Sequence, residues 1–174
     1  MADFNKAIEK VLSKEGGYVW DPVDQGGETN FGITDKLDGI VDRMADVDGD
    51  GDGDVLIMNL TIDQAKQIYN REFWDKMQGD LINDQSVANI VFDAYVNSGK
   101  VALKQLQKVV GVETDGEIGP RTIAAINYAA GSVVFEMFKD ARKRFYNSIV
   151  ERKPSQKRFI KGWMNRINSF QYGK

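Results

Sequence analysis

Apolar residues recur at helical spacing through most of this chain. The one long interruption, residues 18–34, is crowded instead with glycine, aromatic and β-branched residues. That contrast admits few folds, and the expected class is mainly α (α+β): a helical bundle with one small β-hairpin. Asp3 can cap a first helix in which Phe4, Ala7, Ile8, Val11 and Leu12 share a face, and Gly16-Gly17 stops it with Glu15 at its last turn. Residues 35–45 read as a short helix and 46–54 as an acidic, Gly-rich loop. Thr61-Ile62-Asp63-Gln64 is a capping box opening a helix to about Met77. Val87, Ile90, Val91, Ala94 and Tyr95 mark a buried central helix over 84–98, and another spans 100–110. The Asp115-Gly116-Glu117-Ile118-Gly119-Pro120 turn enters a further helix with Pro120 at an allowed early position. Two longer helices, about 132–152 and 155–170, flank Pro154. No linker is visible; if two lobes exist they are expected at 1–99 and 100–174, joined through the central helix.

The chain holds no cysteine and no histidine. Disulfides, thiolate or imidazole metal sites and every His-dependent hydrolytic triad are therefore excluded, and carboxylates remain the natural acid and base. At 174 residues with 42% hydrophobic content there is ample material for a core. Charge is lopsided: residues 1–99 hold 8 Lys/Arg against 20 Asp/Glu, and residues 100–174 hold 15 against 6. A basic C-terminal half suits contact with an anionic polymer, although a solvated helical face has the same composition.

One cluster of carboxylates has the spacing of a catalytic pair. Glu15 ends the first helix, and Asp21 and Asp24 follow within ten residues on a Gly-rich segment that also bears Thr29 and Asn30. A helix end folded against a hairpin can set two carboxylates across a cleft at roughly 5–9.5 Å, as glycosidic cleavage requires. Tyr18, Trp20 and Phe31 supply apolar surface that would shield Glu15 from water. Asp24 sits on a polar turn suited to an ionised partner, and Thr29 or Asn30 could hold a water. Read singly, each acid is an ordinary surface or turn residue.

Lys14-Glu15-Gly16-Gly17-Tyr18 and Asp21-Pro22-x-Asp24-x-Gly26-Gly27-x-Thr29-Asn30-x-Gly32-Ile33-Thr34 together resemble the signature of the family 108 glycoside hydrolases, which are muramidases. Further similarity lies in Tyr69 to Trp74, Phe92 to Gly99, Gln105-Leu106-Gln107, Asp115 to Thr122 and Gly162-Trp163-Met164-Asn165-Arg166. The resemblance implies a lysozyme-like α-helical fold, cleavage of the β-1,4 bond between N-acetylmuramic acid and N-acetylglucosamine, and Glu15 as catalytic acid. The Glu15, Asp24, Thr29 spacing also resembles that of phage-type lysozymes, which favours Asp24 over Asp21 as the second catalytic group, and Thr29 is expected to orient the water. Tyr18, Asn30, Phe31 and Asn97 are the candidate substrate contacts. The segment at 115–122 is similar to a turn of peptidoglycan-binding modules, though it is also a sound structural turn in its own right.

Asp46, Asp48, Asp50, Asp52 and Asp54 place five carboxylates in nine residues. Alternating Asp with Gly51 at the sixth position is the front half of a calcium loop, but Ile57 stands at position twelve, where an EF-hand has its bidentate Glu. A structural Ca2+ is expected there, with a distant carboxylate such as Asp63 completing the shell; catalysis itself calls for no cofactor. From Lys139 to Lys174, 11 Lys/Arg against 2 Asp/Glu form an amphipathic face suited to an anionic envelope; no nucleic-acid motif accompanies them. No apolar run is long enough to span a membrane and the N-terminus carries no secretory pattern. The expected protein is thus a monomeric phage or prophage endolysin, made in the host cytoplasm and released to the wall through a holin-type pore. The rival expectations are a non-catalytic peptidoglycan-binding protein, a hydrolase of another amino-sugar polymer such as chitin, and a calcium sensor.

Overall fold

A computed structural model describes residues 1–20, 27–37, 39, 40 and 42–174. Packing divides the chain into two units, residues 8–75 and residues 1–7 with 76–174. The central helix falls in the second unit together with the later helices it packs against.

In the first unit, the helix α1 (Phe4–Leu12) contributes Ile8 and Val11, both fully buried. Two turns continue it, the second closed by the Glu15 N–H donating to the Leu12 carbonyl at 3.3 Å. Glu15 therefore lies just beyond the helix instead of in its last turn. Strands β1 (Thr29–Asn30) and β2 (Ile33–Thr34) pair antiparallel, Thr29 with Thr34 and Asn30 with Ile33, and Val19 bridges to the other side of Thr29. The two residues between them, Phe31 and Gly32, have φ of 50° and 78°, the left-handed pair that a primed two-residue turn demands.

The described residues of the 35–45 segment form no helix. The buried Asp35 carboxylate accepts the Asp42 and Arg43 N–H groups at 3.1 and 2.6 Å, so those amides serve a side chain instead of a helical ladder. Met44–Ala45 becomes β3 and pairs with β4 (Val55–Leu56), making the acidic segment the loop of a second hairpin. The helix α2 (Ile62–Tyr69) opens with the capping box its sequence specifies: Gln64 N–H to Thr61 Oγ1 at 3.3 Å and Thr61 N–H to Gln64 Oε1 at 3.0 Å. It runs on into one wide turn, Asn70–Trp74, with i→i+5 bonding.

The second unit is built round α3 (Gln85–Ser98), in which every residue from Ser86 to Tyr95 is buried. A helix buried on all sides needs partners all round. These are α4 (Lys100–Val110) and α6 (Gly131–Arg152), each of which also packs on the other. Full burial of Val87, Ile90, Val91 and Phe92 contributes roughly 1.5–3 kcal/mol per side chain. Asp84 caps α3 by accepting from Ser86 and Val87 N–H groups at 2.9 and 3.0 Å, and Gly99, at φ 54°, turns the chain into α4. The helices α5 (Pro120–Tyr128) and α7 (Ile160–Asn168) pack against the α4 and α6 framework, α7 reached through a 3-10 stretch, Pro154–Phe159. The N-terminus is tied into this unit by Ala2 N–H to the Ile82 carbonyl at 2.7 Å and by an edge-on Phe4–Phe92 contact.

Candidate active site

The primed turn is what brings chemistry together. A methyl group placed on Gly32 would stand 2.5 Å from the Tyr69 hydroxyl and 2.9 Å from Glu15 Oε2. Residue 32 must therefore be glycine for two reasons at once, its positive φ and the space that Tyr69 and Glu15 take. Tyr69, almost fully buried, donates its hydroxyl hydrogen to the Phe31 carbonyl at 3.0 Å and packs its ring on Phe73. The half-buried Glu15 carboxylate, the turn backbone and the tyrosine thus form one constellation. Tyr69 was not among the residues singled out from sequence; only its place in the Tyr69 to Trp74 similarity pointed to it.

The remaining candidates do not all join this group. Thr29 is half-buried on the middle strand of the ribbon, with Tyr18 and Trp20 exposed nearby in sequence. Strand alternation sends Asn30 the other way: it is buried, and its amide donates to the Ile57 carbonyl at 3.0 Å. Its side-chain nitrogen thus ties the hairpin to the turn at Ile57–Asn59. Asp24, and Asp21 with it, lie outside the described residues. Asn97 belongs to the other unit, where it is exposed at the end of α3 and donates to the Asp93 carbonyl at 2.6 Å.

One carboxylate of the ribbon went unnoticed in the sequence. Glu28 is buried, and its Oε1 accepts from Arg43 Nε at 2.5 Å, an interaction that raises the Arg43 pKa. The Arg43 guanidinium lies 5.4 Å above the exposed Trp20 ring. Glu28 Oε2 has no hydrogen-bond partner among the described residues.

In the acidic loop, Asp46, Asp48 and Asp50 each offer an oxygen within 4.8 Å of the others. Asp46 also accepts the Gly49 and Gly51 N–H groups at 2.5 and 3.2 Å, which winds the loop round it. Asp54 Oδ2 accepts the Val47 and Asp48 amides at 2.7 and 3.2 Å, and neither Asp52, Asp54 nor Asp63 belongs to the group of three. Arg71 clasps the loop from the wide turn after α2, donating to the Val47 and Asp46 carbonyls at 2.6 and 2.9 Å.

The peptidoglycan-type turn is held by one buried side chain. Gln107 on α4 donates to Asp115 Oδ1 and the Glu117 carbonyl, at 2.6 and 2.9 Å, and accepts from the Gly116 N–H at 2.8 Å. The Glu117 amide and the Gln107 amide together hold the Asp115 carboxyl below its usual pKa.

An acid beside a Gly-bearing β turn, in a helical chain with neither histidine nor cysteine, is compatible with the carboxylate chemistry of a lysozyme-like glycosidase. The chain belongs to the Glycosyl hydrolase 108 family, whose model matches residues 8–99, and a Predicted Peptidoglycan domain matches residues 101–168. Among solved structures it is similar to Brucella abortus SagA, at 34% identity and TM-score 0.75, over 96% of this chain and 90% of that one. No curated protein matches. The fold is mainly α and lysozyme-like, and the protein is a glycoside hydrolase of the muramidase type, acting on peptidoglycan.

Proposed function

We propose that Glu15 is the general acid that protonates the leaving oxygen of the β-1,4 bond between N-acetylmuramic acid and N-acetylglucosamine. The observation that carries this is the close approach of its carboxylate to Gly32, on the same turn to which the Tyr69 hydroxyl is hydrogen-bonded. Asp24 serves as base or electrostatic partner, and Thr29 orients the water. Tyr18 and Phe31 flank the sugar.

The test is digestion of purified peptidoglycan by wild type and by Glu15→Gln, with borohydride reduction and mass spectrometry of the fragments. Muramitol ends from wild type and none from the variant are expected. Glucosaminitol ends would reassign the bond. Equal activity in the variant would remove Glu15 from the chemistry. No new ends from either protein would favour the wall-binding reading.

The acidic loop takes a structural Ca2+ on Asp46, Asp48 and Asp50, supported by the mutual approach of their oxygens and by the hardness of carboxylate donors. Asp52 and Asp54 complete the expected donor set. Arg144, Arg152, Lys153, Lys157, Arg158 and Lys161 are all exposed, which supports electrostatic contact of the C-terminal helices with an anionic envelope. The protein acts as a monomeric phage or prophage endolysin, bacteriolytic once a holin-type pore lets it reach the wall. Lysis of an expressing host only when a holin is coexpressed is the expected result.

A further inference from the structure

Arg142 does not share the solvated face of its basic neighbours. It is 1% exposed on α6, and among the described residues no carboxylate pairs with it. Its guanidinium donates to three neutral oxygens: Gln105 Oε1 at 3.1 Å, Ser98 Oγ at 2.7 Å and the Tyr146 hydroxyl at 2.9 Å. The Phe145 and Tyr146 rings pack over it at 5.1 and 4.8 Å. A buried cation compensated only by neutral groups leaves a positive field that the surrounding low dielectric does little to screen.

That field emerges at a cleft. A cavity of 520 Å³ opens between α3, α6 and α7, lined among others by Asn97, Ser98, Tyr146, Ile149, Trp163 and Arg166. Ser98 and Tyr146 are thus both partners of Arg142 and walls of the cavity. Each hydroxyl oxygen accepts from the guanidinium, and no described residue accepts either hydroxyl hydrogen. Two O–H donors, polarised by a cation behind them, are left for a ligand. The Trp163 ring, stacked on Tyr146 at 5.0 Å, supplies an apolar wall. Arg166 adds no net charge, because its guanidinium is paired with Asp93 at 2.9 Å. The volume is in the range of small-ligand sites.

We propose that this cleft is an anion subsite in which Ser98 and Tyr146, backed by Arg142, bind a free carboxylate of a peptidoglycan fragment. The choice of fragment rests on the peptidoglycan reading; the anion chemistry does not. The carboxylate can come from the lactyl group of muramic acid or from the peptide stem.

Titration of the isotope-labelled full chain, followed by NMR at the Trp163 indole and Ser98 amide, tests it. The probes are N-acetylmuramic acid, N-acetyl-L-alanyl-D-glutamate and N-acetylglucosamine. None has a glycosidic bond to cut, so the outcome is independent of Glu15. Saturable shifts with at least one acid, and none with N-acetylglucosamine, are expected, and the acid that binds identifies the source. Tyr146→Phe and Ser98→Ala should each weaken binding about tenfold, the usual effect of losing one charge-assisted hydrogen bond. Both retain Arg142, whose own replacement by Gln endangers the fold. Silence with both acids, equal binding of N-acetylglucosamine, or unchanged affinity in both variants would overturn the proposal. A wild type that digests peptidoglycan yet binds neither acid would lose the subsite and keep the hydrolase.

Discussion

Replacing Gly32 by Ala puts the turn at Phe31-Gly32 to a direct test. Two costs are separable there. The first is backbone strain, since φ is 78° and an L side chain in that region costs about 1–2 kcal/mol. The second is the clash: the new methyl lies 2.5 Å from the Tyr69 hydroxyl and 3.0 Å from Glu15 Cγ, up to roughly 1 Å inside a comfortable nonbonded separation. Gly39 supplies the control, because its φ is 92° and no described residue beyond its chain neighbours lies within 4 Å of an added Cβ. Gly39→Ala should therefore lose only the strain, about 2–4 °C in Tm per kcal/mol for a chain of this size, with activity intact. Gly32→Ala should lose about 1–3 kcal/mol more as overpacking. Its turnover of peptidoglycan should fall on the order of a hundredfold, since displacement of a catalytic group by about 1 Å has that effect. Differential scanning calorimetry and a turbidity assay on purified wall read the two quantities. Equal Tm and equal activity in the two variants would refute the placement of Glu15 and Tyr69 against Gly32.

Buried Asp93 pairs with the half-buried Arg166 at 2.9 Å, so Asp93→Ala should cost about 3 kcal/mol in urea unfolding, with part of it restored by adding Arg166→Met. The lowered Asp115 pKa contributes stability above its unfolded pKa near 4, and that contribution is lost as pH falls through the lower folded value. Asp115→Asn should accordingly flatten the acid limb of stability below about pH 4 in urea melts, and an unchanged limb would assign it to other carboxylates. Calcium should raise Tm relative to chelator, and Asp50→Asn should abolish most of the difference; identical melts with calcium and chelator would leave the acidic loop without a metal.

Much of the helical framework can be read directly from local pattern. The Thr61–Gln64 capping box, the Pro120 start and the apolar stripe of α3 are decided within a few residues, where spacing and propensity agree. The segment at 35–45 misleads because its Asp42 and Arg43 amides are claimed by Asp35, a side chain that only the folded ribbon buries. Tyr69 lies 54 positions after Glu15, and no periodicity announces that its hydroxyl reaches the Phe31 carbonyl. Arg142 hides for a related reason: in a segment with 11 basic residues its charge reads as one more solvated group. Glu28 is concealed likewise by the acidic N-terminal half around it.

The two family segments meet between residues 99 and 101, yet α3 lies on one side of that seam and the helices α4 and α6 that bury it lie on the other. A recombination event at the seam would hand an incoming wall-binding segment a core helix shaped for different neighbours. An exchange near residue 75 would carry the helix and its neighbours together. Lineages that trade parts by shuffling should therefore inherit α3 together with α4 and α6, and an engineered chimera joined at the family boundary should be soluble only when that helix travels too.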